Sequence, residues 1–164
     1  MATDSAIQLL NVSKTFGRRK EQVMAVRNIN LEVATGQVYG FLGPNGAGKS
    51  TTIRMITDLI RPSQGDVRLF GQSIKKNRAI LHQRVGALVE GAEFYPFLTG
   101  RRNLELIART GGFYDAERIS ALLKQVNMAD HADREVKGYS TGMKQRLGLA
   151  AALLNNPDLI ILDE

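Results

Sequence analysis

The sequence predicts an α/β fold with a mostly parallel sheet, and three stretches carry that expectation. The apolar run Val38-Tyr39-Gly40-Phe41-Leu42 reads as a buried strand. Gly43-Pro44-Asn45-Gly46-Ala47-Gly48-Lys49-Ser50-Thr51 follows as a glycine-rich loop, and from Lys49 a helix is expected, with Ile53, Ile56 and Ile60 on one face. Val85 to Val89 and Leu159 to Leu162 repeat the buried-strand pattern, the second ending in Asp163 and Glu164. In open parallel sheets ligands sit outside the carboxyl ends of the strands, which is where this loop and these carboxylates are expected to meet.

The loop matches the pattern G-x-x-x-x-G-K-[ST] in its required setting of strand, loop and helix. Glycines remove Cβ atoms, so consecutive N–H groups can converge on an anion, and the new helix adds free N–H groups and the positive end of its dipole. Lys49 is expected to reach the β- and γ-phosphates, and the Ser50 hydroxyl to hold Mg²⁺. The alternative is an ordinary glycine-rich turn. The acidic pair offers Asp163 as a Mg²⁺ ligand and Glu164 as the group that orients or deprotonates an attacking water. Its alternative is an acidic cap on a strand end.

At 164 residues the chain suits one domain with a real core, and 43% hydrophobic with 23% charged residues is the mixture of a soluble globular protein. With no cysteine, neither a disulfide framework nor a thiolate metal site is possible. The polar start Met1-Ala2-Thr3-Asp4-Ser5 argues against a signal peptide, and no apolar run reaches the ~20 residues that span a bilayer. The net charge of +6 admits nucleic acid or an anionic membrane as partner. The basic clusters Arg18-Arg19-Lys20, Lys75-Lys76-Asn77-Arg78 and Arg101-Arg102 lack interleaved aromatics, however, and read as solvated loops and helix ends.

Along the chain, Ile7 to Val12, Gln22 to Val26 and the alternating Ile29, Leu31 and Val33 predict three short antiparallel strands beside the nucleotide core. Arg61 to Gly65 is a turn, Asp66 to Phe70 a strand ended by Gly71, and Asn77 to Gln83 a helix. Beyond Glu90 the pattern becomes helical. Thr99 and Asp115 are helix caps, Ile119, Leu122, Leu123 and Val126 keep i, i+3, i+4, i+7 spacing, and a third helix runs from about Thr141 to Leu154. The expected organisation is a nucleotide-binding core at 1–89 and 156–164, interrupted by a helical subdomain at 90–155.

Tyr139-Ser140-Thr141-Gly142-Met143-Lys144-Gln145-Arg146, placed before an apolar strand ending in Asp-Glu, resembles the signature motif of ATP-binding cassette (ABC) ATPases. Over essentially the whole chain the motifs follow in that family's order, and the Tyr-Ser-x-Gly-Met form is similar to the ATP-binding subunits of bacterial drug and antibiotic exporters. The resemblance implies a P-loop NTPase core with an antiparallel β subdomain and a helical insert, incomplete at the C-terminus. It implies ATP and Mg²⁺ as cofactors, and ATP hydrolysis that powers export. The implied partners are a second ATP-binding subunit and an integral membrane permease, with no nucleic acid. The implied location is the cytoplasmic face of the plasma membrane. The alternatives are a soluble ATPase of the same class acting on ribosomes or DNA, and a fragment that binds without turnover.

Residue by residue, the resemblance implies that Phe16 stacks on adenine, although an aromatic after a first strand is as readily a core residue. Gly43 to Thr51 wrap the phosphates, and Glu90 stands where most of the family has a Gln that touches Mg²⁺. Ser140, Thr141, Gly142 and Met143 meet the ATP bound by a second copy, and Glu164 is the catalytic carboxylate. The family continues past this point with a loop that meets the partner subunit, a strand and a histidine that contacts the γ-phosphate. His82 and His131 precede the acidic strand and read as surface or structural residues. The 164-residue chain is therefore expected to be inactive by itself.

Overall fold

The computed structural model describes residues 5–17, 21–89, 91 and 93–163, without the side chain of His82. Met1 to Asp4, Arg18-Arg19-Lys20, Glu90 and Glu164 lie outside the described residues, as does any role for the His82 ring. The chain divides into two compact units, residues 1–81 and 82–164.

The first unit is a four-stranded antiparallel sheet in the order β2-β1-β3-β4. Its strands are β1 (Ser5–Phe16), β2 (Val23–Ala34), β3 (Gln64–Leu69) and β4 (Gln72–Ser73), and α1 (Lys49–Ile56) packs on β2 and β3. Where three short strands were expected, β1 and β2 form one long hairpin. The apparent break around Arg27 and Asn28 is a bulge: the register passes from Val12↔Ile29 to Lys14↔Val26. Asn28 takes φ 45°, a left-handed conformation that asparagine tolerates, and its N–H donates to Ser13 Oγ at 2.9 Å. Asn11, also left-handed at φ 51°, exchanges two hydrogen bonds with the Asn30 side chain, at 2.9 and 3.0 Å. Phe70 and Gly71 both have positive φ, which makes the β3–β4 link a two-residue turn matched to the sheet's twist. Leu9, Val12, Met55, Val67, Leu69 and Ile74 are fully buried and form the core of this unit.

Two further expectations fail in this unit. The helix stops at Ile56 because Asp58 turns left-handed at φ 56° and the Ile60 N–H returns to Arg54 O at 3.2 Å, so Ile60 lies past the helix end. Val38 to Leu42 is not a strand. A strand needs a neighbour for its N–H and C=O groups, and none of the described strands pairs with this run. Val38 and Leu42 are accordingly 105% and 92% exposed.

Asp66 on β3 holds the β4 turn through Ser73 Oγ at 2.7 Å and Arg68 Nε at 3.0 Å. Partial burial pushes its carboxyl up, but Ser73, Arg68 and Lys75 together outweigh that and hold it below the usual 3.8. A carboxylate depressed in the folded state stabilises the fold above its unfolded value, and that contribution disappears as pH falls through the folded one. Asp66→Asn is therefore expected to flatten the stability–pH curve below about pH 4, as measured by urea unfolding across the acid range.

The helix α2 (Ala79–Arg84) carries the chain into the second unit. There β5 (Val85–Leu88) and β6 (Leu159–Leu162) pair in parallel, Val85↔Leu159 through Leu88↔Leu162, the one parallel pair among the described residues. Between them lie α3 (Gly100–Gly111), α4 (Ala116–Gln125) and α5 (Thr141–Ala152). Thr99 caps α3 by accepting the Arg102 N–H, and Asp115 caps α4 by accepting from Glu117 and Arg118. Leu104, Ala108, Ile119, Leu122, Leu123 and Leu147 close one apolar cluster, with the predicted α4 face wholly inside it.

The C-terminal end of α5 is pinned to the strands. Asp158 N–H donates to Arg84 O at 2.9 Å, Arg84 Nε meets Asp158 Oδ2, and Asn155 Nδ2 donates to Val85 O at 3.4 Å. The Ala152 carbonyl lies so close over Gly86 that a Cβ there would stand 1.9 Å from its oxygen.

Candidate nucleotide site

The glycine loop is shaped by its own backbone. Gly46 and Gly48 take φ 81° and 88°, and Ala47 N–H closes a turn onto Pro44 O at 3.2 Å. At Gly48 a Cβ would come within 2.6 Å of Ala25 O on β2, so glycine is required there both by conformation and by space. Gly48 also stands at the N-cap of α1, with no side chain capping it and no acidic residue in the first turn. The helix therefore presents unneutralised N–H groups and the positive end of its dipole toward the loop. Lys49 Nζ donates to Gly43 O at 2.7 Å and Pro44 O at 3.0 Å, which folds the ammonium back over the loop. Thr52 is fully buried and anchors the first turn through Gly48 O. No described protein group holds the Ser50 hydroxyl, so its oxygen is available to a cation. This donor set is that of an anion cradle, and it fits a triphosphate.

Phe16 closes the end of β1 opposite Val23 and is 40% exposed, with the Lys14 ammonium 5.0 Å from its ring centroid. It does not belong to the core of its unit, so one ring face can receive a planar group.

In the second unit Ser140 is the N-cap of α5, its hydroxyl accepting the Met143 N–H at 3.2 Å. Tyr139 beside it is buried and donates to His131 O. Burial pushes the Tyr139 phenol above its ordinary 10.0, against the opposing backbone contact with Gly100 and the charge of Arg134. Thr141 and Gly142 are exposed, and a Cβ at Gly142 would meet nothing within 4 Å. Met143 instead packs its side chain against the helical cluster. Like α1, α5 has no acidic residue in its first turn. Asp163 N–H donates to Leu88 O at 2.9 Å, so Asp163 leaves the sheet at the carboxyl end of β5, beside the segment that leads to Glu90.

Asn103 was missing from the sequence reading. It is 2% exposed on α3; its Oδ1 accepts the Tyr95 N–H at 2.8 Å, and its Nδ2 donates to the carbonyls of Tyr95, Leu98 and Thr99. One side chain thus fixes the loop that follows Glu90. The available signal was a polar residue beside Leu104 on the helix face that carries the apolar residues. Asn103→Ala removes the acceptor of the Tyr95 N–H, while the carbonyls of Tyr95, Leu98 and Thr99 keep backbone donors, and is expected to cost about 1–3 kcal/mol, measurable by chemical denaturation.

The fold and the loop define a phosphate-loop nucleotide-binding protein. The chain belongs to the ABC transporter family, whose model matches residues 26–164. It is 43% identical over 160 residues to the uncharacterized ABC transporter ATP-binding protein YhcH of Bacillus subtilis, covering 98% of this chain and 51% of that one. It is 42% identical to the bacitracin transport ATP-binding protein BcrA of Bacillus licheniformis, covering 96% of this chain and 50% of BcrA. The daunorubicin/doxorubicin resistance ATP-binding protein DrrA of Streptomyces peucetius is 42% identical over 143 residues, with 85% and 43% coverage. Among solved structures, the dimeric bacterial ABC transporter cassette MJ0796 matches with a TM-score of 0.86 at 28% identity, over 96% of this chain and 73% of that one. A related structure of MJ0796 is a dimer in a post-hydrolysis state bound to ADP and Pi. The chain spans about half the length of the curated relatives it matches.

Proposed function

We propose that this chain is the nucleotide-binding part of an ATP-hydrolysing subunit that powers a membrane exporter of the drug and antibiotic type. The supporting observation is the loop from Gly43 to Thr51, where the Lys49 ammonium folds back over the loop and the α1 N-terminus has no side-chain cap. The export assignment draws on relatives named for bacitracin transport and daunorubicin resistance. Nothing favours a soluble ATPase acting on ribosomes or DNA.

In this reading Gly43, Asn45, Gly46, Ala47 and Gly48 present backbone N–H groups to the phosphates, Pro44 shapes the loop between them, and Lys49 neutralises charge on the β- and γ-groups. Mg²⁺, when bound, screens the triphosphate charge, and Ser50, Asp163 and Glu90 are the oxygens assigned to it. Glu164 accepts the proton of the attacking water. Phe16 stacks on the base. Ser140, Thr141, Gly142 and Met143 are assigned to the ATP of a second copy, where the α5 N-terminus meets the γ-phosphate; of these, Met143 acts by seating the helix. Residues 1–89 and 156–164 act as the core and 90–155 as the helical subdomain. Such a subunit works on the cytoplasmic face of the membrane beside a permease. A polypeptide of residues 1–164 alone is assigned binding without turnover.

Lys49→Ala tests the reading. A charge-assisted contact of this kind contributes about 1.5–3 kcal/mol, so affinity for a fluorescent ATP analogue with Mg²⁺ is expected to fall about tenfold to a hundredfold with the melting curve unchanged. Equal affinity of the two forms would remove the nucleotide from this loop.

A further inference from the structure

The chain's positive charge is unevenly distributed. Residues 1–81 hold twelve Lys and Arg against five Asp and Glu, a surplus of seven, whereas residues 82–164 hold ten against eleven. Within the first unit, a cleft of about 360 Å³ opens between the turn after α1 and the segment leading from β4 into α2, lined by Asp58, Arg61, Pro62, Ile74, Lys75 and Arg78. That volume is at the small end of ligand sites. Fully buried Ile74 and the Pro62 ring give it apolar lining, and three cations stand around it.

The cations are not equivalent. Arg78 Nε meets Asp58 Oδ2 at 2.8 Å, so the one carboxylate of the cleft is already matched. Lys75 Nζ donates to a neutral carbonyl, Gly65 O at 2.6 Å, and its charge also acts on Asp66 nearby; its further N–H groups remain for another acceptor. Arg61 has no carboxylate partner among the described residues, while its own carbonyl is held by Lys14 Nζ at 2.7 Å. The backbone under this guanidinium is therefore fixed, and its fork of donors is unclaimed. An excess of positive charge centred on Arg61, over a partly apolar lining, is matched by a compact anion that accepts paired hydrogen bonds.

We propose that this cleft binds a small phosphate-bearing anion, with Arg61 gripping the phosphate oxygens and Lys75 completing their neutralisation. The site is separate from the glycine loop, from whose N-terminal position it is divided by the length of α1, and it does not depend on the nucleotide reading. The phosphate belongs either to a soluble phosphate compound or to an anionic lipid headgroup; the chemistry of recognition is the same.

The test uses the 164-residue chain with Lys49→Ala throughout, which suppresses the glycine loop, and inorganic pyrophosphate as the probe. Calorimetric titration is expected to show binding that weakens about tenfold or more when Arg61→Ala and Lys75→Ala are added and that weakens with added salt. Affinity indifferent to those two substitutions would overturn the proposal. Backbone amide shifts give a second readout that survives a poorly folded variant. Shifts centred on residues 58–78 support the site, and shifts confined to 43–51 refute it. Co-sedimentation with vesicles of phosphatidylcholine and phosphatidic acid, lost in the Arg61→Ala/Lys75→Ala protein, assigns the anion to lipid. Pyrophosphate binding without co-sedimentation assigns it to a soluble compound.

Discussion

A Gly86→Ala substitution is expected to unfold or severely destabilise the second unit. The added methyl would stand 1.9 Å from Ala152 O, 2.9 Å from Ala152 C and 3.0 Å from the Pro157 ring, so the obstacle is mainly backbone at the end of a packed helix. That carbonyl has nowhere to retreat: α5 is pinned by Asp158 on Arg84 and by Asn155 on Val85. Overpacking of a rigid contact costs about 3 kcal/mol or more, a fall of about 10 °C in Tm for a chain of this size. Gly111→Ala is the control. The three atoms nearest its Cβ, at 2.0, 2.5 and 2.8 Å, all belong to the half-buried Phe113 ring and none to backbone, so relief there needs a side-chain shift rather than a backbone one. Calorimetry of the two variants is expected to separate them clearly; equal, small losses would mean that the α5–β5 contact yields.

The second large effect concerns rate. In a protein with the length of the relatives, Glu164→Gln is expected to retain ATP binding and slow phosphate release by about 10²–10⁴-fold, the usual loss on removing a general base. Glutamine keeps the size and polarity of the side chain, so the glycine loop and Asp163 keep their contacts, and ATP-bound dimers are expected to accumulate on size-exclusion chromatography. Wild-type turnover in this variant would remove Glu164 from the chemistry.

Much of this architecture can be read from the sequence because it is written in local rules. Thr99 and Asp115 precede their helices as caps, and each accepts backbone N–H as capping demands. Ile119, Leu122, Leu123 and Val126 form one face because helical periodicity alone decides it. The failures came where a residue's state depends on distant chain. Val38 to Leu42 has the composition of a buried strand, but a strand exists only with a neighbour, and composition does not name one. The β2 bulge looks like a turn in sequence because Arg27 and Asn28 interrupt the apolar alternation; the ladder across to β1 carries the strand through. Asn103 was invisible because its value lies in four backbone groups of a loop that the sequence places only roughly. In the site, the glycines and Lys49 were legible as a motif. The folding of the ammonium onto Gly43 and Pro44 required three-dimensional geometry.

The parallel pairing of β5 with β6 also implies an expected order of events during folding. The two strands meet across a span such as Arg84 to Asp158, 74 residues apart in sequence. Drawing the ends of so long a flexible chain together costs about 4 kcal/mol in closure entropy, and two four-residue strands offer few bonds in return. The helical hairpins between them need only local contacts and collapse sooner. Once α3, α4 and α5 have condensed, the disordered span left to close is a fraction of its original length. The helical cluster is thus the template on which the two strands are brought into register. Substitutions inside it, such as Leu122→Ala, are expected to slow refolding in stopped-flow measurements, whereas substitutions at the tips of β5 and β6 are expected chiefly to hasten unfolding.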